Sequence, residues 1–81
     1  ICAGPLVLQA AGILGGVRVT CHPSVASELT ATPRHDHRVV IDQNVITSQA
    51  PGTAFEFALA IIDHVDGADA LTTLVPPLVL P

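Results

Sequence analysis

Ile1-Cys2-Ala3-Gly4-Pro5 is the stretch whose reading decides the fold. An apolar residue, a cysteine, a small residue and then glycine is how a strand-to-helix turn reads when it presents a nucleophile. Small neighbours let the backbone bend sharply around the reactive side chain. A helix starting just after the cysteine suits a thiolate, because helix N-termini favour negative charge. Such a turn needs a strand leading into it. The sequence is therefore expected to be the later portion, residues 1–81, of a single α/β domain whose preceding segment completes the sheet.

Composition agrees with an α/β class. The chain is 49% hydrophobic, and Phe55 and Phe57 are its aromatics. Ala-, Val-, Ile- and Leu-rich sequence of this kind builds buried parallel strands and the helices that flank them. A chain of 81 residues buries little by itself, so a partner surface in the same domain is expected. Seven acidic residues stand against three basic ones, Arg18, Arg34 and Arg38. They form no basic run, which argues against nucleic-acid binding. No apolar stretch reaches the roughly 18 residues of a membrane span. Cys2 and Cys21 do not make a disulfide framework, and a reducing, cytoplasmic setting is the default expectation.

The local pattern predicts a helix from Ala3 to about Leu14, ended by Gly15-Gly16. Val17–Thr20 reads as a short strand, and Ser24 caps a short helix reaching Leu29. Arg38–Asp42 and Val45–Ser48 read as strands joined by a two-residue turn at Gln43-Asn44. Thr53-Ala54-Phe55-Glu56 has the pattern of a capping box, opening a helix to about Val65 that is apolar most of the way round. Gly67 stops that helix. A last helix over Ala68–Leu74 is ended by Pro76-Pro77, and the apolar tail Leu78–Pro81 needs a surface to cover it.

Taken in order, several short motifs become specific together. They are Ile1–Pro5, Thr20-Cys21-His22-Pro23, Arg38-Val39, Thr47–Thr53, Phe55–Ile61 and Pro77–Leu80. This series closely resembles the DJ-one (ThiJ/PfpI) superfamily, and within it the parkinsonism-associated glyoxalase and deglycase branch. The resemblance covers essentially the whole chain. It implies the C-terminal half of a flavodoxin-like three-layer sandwich, completed by a preceding N-terminal half, in a protein that is usually a homodimer. It also implies that the first half supplies the acidic residue beside the nucleophile.

The resemblance gives each residue an expected role. Cys2 matches the reactive cysteine, which would add to the aldehyde of methylglyoxal or of an early glycation product as a hemithioacetal. Taken alone, without the surrounding motif, Cys2 reads rather as a buried, inert core thiol. His22 matches the histidine near that cysteine, either as a proton carrier or as part of the pocket wall. The plainer reading is a turn histidine that holds the loop before Pro23. Ala3 would lend its N–H to an oxyanion pocket, and Gly4 would let the first helical turn pack closely. Ala50 and Pro51 match a loop bordering the pocket, and Ala50 stands where the family usually has glycine.

No cofactor and no metal are expected. His35-Asp36-His37 has the look of a metal pair, yet no spacing fits a structural zinc site, and a solvated loop is the simpler reading. Cys21 reads either as a core cysteine or as a second redox-sensitive thiol able to pair with Cys2. Several functions compete. A glyoxalase or deglycase and a redox-sensing chaperone would use the same cysteine. A peptidase or amidase is disfavoured by Ala3, where the peptidase branch often carries histidine. A purely structural interaction domain rests only on the apolar tail.

Overall fold

The computed structural model describes residues 1–81. Two strands and three α-helices make an α/β chain. Helix α1 spans Pro5–Ala10, β1 Val39–Asp42, β2 Val45–Ser48, α2 Ala54–Asp66 and α3 Ala68–Leu78. Short 3-10 helices cover Pro23–Glu28 and Pro51–Thr53. The strands form an antiparallel hairpin in the register Val39 to Ser48, Val40 to Thr47, Ile41 to Ile46 and Asp42 to Val45. The two-residue loop is as the sequence predicts. Its left-handed residue is Gln43, at φ 56, rather than Asn44.

Helix α1 is shorter than expected, because Gly12 ends it before Gly15-Gly16 is reached. Gly12 takes φ 77, its N–H donates to the Gln9 carbonyl, and the Ile13 N–H reaches back to Leu8. This double closure is the Schellman arrangement, and it needs a residue free to adopt positive φ. Val17–Thr20 is extended but is not a strand of the sheet. It makes one parallel bridge, Val19 to Arg34. The Arg18 N–H goes to the Asp42 carboxylate at 2.8 Å and the Thr20 N–H to Thr47 Oγ1 at 2.9 Å. Side chains of the hairpin thus occupy the donors that a second ladder would use.

The core lies where this extended run meets α1 and the first 3-10 helix. Leu14, Val17, Val19, Cys21 and Leu29 are buried together, with Leu6, Leu8, Val25, Ala26 and Val45 packed against them. Gln9 ties two of these pieces by side-chain bonds. Its Oε1 accepts the Thr30 and Ala31 N–H groups, and its Nε2 donates to the Glu28 carbonyl.

Helices α2 and α3 behave differently from expectation. No residue of α2 is buried, and Phe55 is 60% exposed. One side of α2 rests on α3 and the hairpin, while Phe55, Ile61 and Val65 stay exposed. The predicted capping box does not form. Thr53 makes no side-chain cap to α2, and Glu56 turns instead to Arg38. Helix α3 runs through Pro76-Pro77 to Leu78. Proline has a helical φ, and the carbonyls robbed of donors belong to Thr72 and Thr73, which are exposed. Val79 ends the helix in the left-handed region at φ 49. The tail then folds back, so that Leu80 and Pro81 join Arg38, Gly52, Phe55 and Glu56 around a cleft of about 190 Å³.

Candidate functional site

The site is built around the backbone of Cys2. Its φ is 61, in the left-handed region that L-residues rarely adopt. Two hydrogen bonds hold it there. The Cys2 N–H donates to the Ser48 carbonyl at 3.1 Å, and the Cys2 carbonyl accepts the His22 N–H at 3.0 Å. The end of β2 and the turn before the first 3-10 helix thus clamp the residue from both sides. Strained backbone of this kind persists only where surrounding contacts over-determine it, and it concentrates at functional sites.

The following residues complete the bend. The Gly4 N–H closes a turn on the Ile1 carbonyl at 2.9 Å, and a Cβ at Gly4 would stand 2.9 Å from that same oxygen. The Ala3 N–H makes none of the backbone bonds that close this turn and is left free. Pro5 opens α1, where its missing N–H costs nothing. The helix is a single short stretch of six residues, so its dipole is modest. Cys2 is half-buried, Cys21 is fully buried, and both are free thiols.

His22 itself caps the first 3-10 helix, in place of the expected Ser24. The helix begins at Pro23, a residue suited to the first helical position, so the cap is the residue before it, His22, two residues ahead of Ser24. The His22 Nδ1 accepts the Ser24 N–H at 3.0 Å. An Nδ1 that accepts carries no proton, so the neutral ring holds its proton on Nε2. In this arrangement Nε2 is a hydrogen-bond donor. The loop-holding bond weighed in the sequence is therefore present, beside the backbone link to Cys2.

The pocket loop follows Ser48. Ala50 is fully extended, at φ −167, a conformation open to any residue, so alanine carries no strain there. Pro51 begins the short 3-10 helix and is exposed. Two residues to which the sequence reading gave no part in the site organise this loop. The Thr53 Oγ1 accepts the Gln49 and Ala50 N–H groups, each at 3.2 Å, and touches Ser48 Oγ at 2.5 Å. Arg38 encloses the loop from outside, donating from Nη2 to the Gly52 carbonyl and to Glu56. The hydrogen bond from Arg38 holds the Glu56 carboxyl below its usual range, and Glu56 in turn raises Arg38. A β-strand followed by Ser and then Thr five residues on was the available signal. It lacked a direction, since Thr53 reads equally well as a cap of the helix after it.

The His35–His37 segment lies apart from Cys2 in its bonding. Asp36 accepts from Arg34 Nη1 and Gln49 Nε2, and the His35 N–H donates to the Val19 carbonyl. No three His, Cys, Asp or Glu side chains converge anywhere in the chain. No helix is long and apolar enough to cross a membrane.

Comparison with known proteins bears on the family and the fold. The chain is 49% identical over 82 residues to "Glutathione-independent glyoxalase DJR-1.2" of Caenorhabditis elegans, covering 99% of this chain and 44% of that protein. It is 45% identical over 83 residues to "Parkinson disease protein 7 homolog" of Danio rerio, with the same coverage of each. Among solved structures, Schizosaccharomyces pombe DJ-1 superposes with a TM-score of 0.89 at 35% identity, over 99% of this chain and 43% of that one. The chain thus spans less than half the length of the relatives it matches. The DJ-1/PfpI family profile matches residues 1–64, and the chain belongs to the DJ-1/PfpI family.

Proposed function

We propose that the complete protein is a cysteine-dependent, cofactor-independent glyoxalase or protein deglycase. Its substrates are methylglyoxal, similar small aldehydes or early glycation adducts. The observation that carries this reading is Cys2 held at φ 61 between the Ser48 carbonyl and the His22 N–H. The name of the similar Caenorhabditis elegans protein supports it. The chain would be the C-terminal portion of one domain, completed by an N-terminal half, in a homodimeric, cytoplasmic protein. The exposed apolar side chains of α2, Phe55, Ile61 and Val65, fit such completion.

The chemistry follows from the residues. The Cys2 thiolate attacks the aldehyde carbon, an S–C bond forms, and the carbonyl π pair moves to oxygen. That oxygen becomes negative and needs donors. We assign that role to the Ala3 N–H, which has no backbone partner, and to the Nε2–H of His22, whose backbone is bonded to Cys2. Protonation gives the hemithioacetal. Removal of the former aldehyde proton, and its return at the neighbouring carbon, pass through an enediol and leave a thioester. Water then releases lactate and the thiol, so methylglyoxal gains one water and no external oxidant is needed. The His22 tautomer favours a donor role, so the proton carrier between the carbons is assigned to an acidic group of the N-terminal half, as the family resemblance implies.

The test is Cys2→Ser in the full-length protein. Methylglyoxal turnover is expected to fall by about a thousand-fold or more, since a hydroxyl is a poor nucleophile without a base. Turnover at the parent rate sinks the proposal. A second reading, redox sensing, is favoured by accessibility, because Cys2 is reachable whereas Cys21 is sealed in the core. Mild peroxide followed by peptide mass spectrometry distinguishes it: a Cys2 peptide that gains no oxygen rules that reading out.

A further inference from the structure

We infer that Thr53 and Ser48 are positioning residues for Cys2, a strap of two hydroxyls that couples the pocket loop to the strained turn. The inference rests on the reading of Cys2 as the nucleophile. Both residues are buried, Ser48 fully and Thr53 to within 3%. Each hydroxyl has a single proton, and the distances decide where it goes. The Ser48 hydroxyl lies 2.6 Å from the Arg38 carbonyl, which can only accept. Its proton is therefore committed there. The 2.5 Å contact between the two hydroxyls must then use the Thr53 proton. The Ala50 carbonyl, 3.0 Å from Thr53 Oγ1, is already served by the Thr53 N–H at 2.9 Å. The lone pairs of Thr53 Oγ1 take the Gln49 and Ala50 amides. Both protons of the pair and both lone pairs of Thr53 are thus used, in one direction: loop amides to Thr53, Thr53 to Ser48, Ser48 to Arg38.

The other end of Ser48 faces the site. Its carbonyl accepts the Cys2 N–H, one of the two bonds that keep Cys2 at φ 61. Anything that frees the Ser48–Ala50 backbone therefore frees one side of the clamp. The same loop presents Ala50 and Pro51. Strap, pocket rim and nucleophile turn are in this way one hydrogen-bonded unit, and misplacement of the sulfur by about 1 Å is enough to lose much of its reactivity.

The experiment compares Thr53→Val, Thr53→Ser and the parent in the full-length protein. Two readouts are taken: amide hydrogen exchange, and kcat and KM with methylglyoxal. In Thr53→Val the amides of Cys2, Gln49 and Ala50 are expected to exchange about ten-fold faster or more, while those of α2 and the hairpin keep their protection. Turnover is expected to fall about ten- to a hundred-fold, in kcat more than in KM. Thr53→Ser restores both. Parent-like exchange at Cys2 in Thr53→Val overturns the inference, as does equal loss in Thr53→Ser. If Thr53→Val does not fold, Ser48→Ala takes its place, with the same expected exchange at Cys2 and the same refuting result. A parent protein that does not turn over methylglyoxal defeats the functional reading alone, because the exchange measurement still decides the strap.

Discussion

Replacing Thr47 by valine isolates one buried hydrogen bond beneath the site. Thr47 Oγ1 accepts the Thr20 N–H at 2.9 Å, and the two residues are 1% and 0% exposed. Valine has nearly the shape of threonine and an equal liking for strands, so packing and propensity change little. What changes is that a backbone donor with no route to water loses its acceptor. Leaving such a group unpaired costs about 1–3 kcal/mol. In a protein of the relatives' length, about 2 kcal/mol lowers Tm by roughly 4–8 °C. Urea denaturation and thermal melting of full-length Thr47→Val measure it directly. Thr47→Ser keeps the oxygen and removes one methyl, so its loss should be smaller, about 1 kcal/mol. A Thr47→Val protein as stable as the parent would refute the reasoning, as would Thr47→Ser falling as far as Thr47→Val. Because Thr20 leads directly into Cys21 and His22, the same variant also tests whether the His22 clamp on Cys2 depends on this anchor.

Two further outcomes follow from packing and charge. Leu14 is fully buried at the centre of the Val17, Val19, Cys21 and Leu29 cluster, so Leu14→Ala should cost about 2–5 kcal/mol, read as a lowered urea midpoint at unchanged slope; a cost under 1 kcal/mol would show that this cluster is not a core. Glu56 has its folded pKa lowered by Arg38, so its contribution is full above the ordinary value of 4.5 and is lost as pH falls through the depressed folded value. Glu56→Gln should therefore be less stable than the parent at pH 6, with the gap closing toward pH 3, and a gap that stays constant across that range is the contrary result.

Much of the local structure was legible in the sequence. The hairpin could be read because two β-branched runs flank a two-residue loop, and period-two patterning leaves little choice of register. Helix α2 could be read from its long apolar run and the Gly67 stop. The Cys2 bend could be read from small residues around a cysteine, and the order of motifs pointed to the family. Other expectations failed where two partners competed for one group. Thr53 looked like the cap of α2, but its oxygen faces back to the Gln49 and Ala50 amides. Val17–Thr20 looked like a strand, but the Asp42 and Thr47 side chains took its donors. Pro76-Pro77 looked like a stop, yet α3 absorbs both at an exposed end.

The sequence by itself determined which residue types stand where: a cysteine in a tight small-residue bend, a histidine before proline, a hairpin and an apolar helix. Those are consequences of backbone sterics and side-chain periodicity, which act over a few residues. Only the tertiary structure decided that Ser48 and His22 would grip the two sides of Cys2, and that Ser48 and Thr53 would share their protons in one direction. A hydroxyl or an amide has several partners within local reach. Which one it takes depends on which distant segment packs beside it, and that is settled by the burial of the whole chain rather than by its neighbours in sequence.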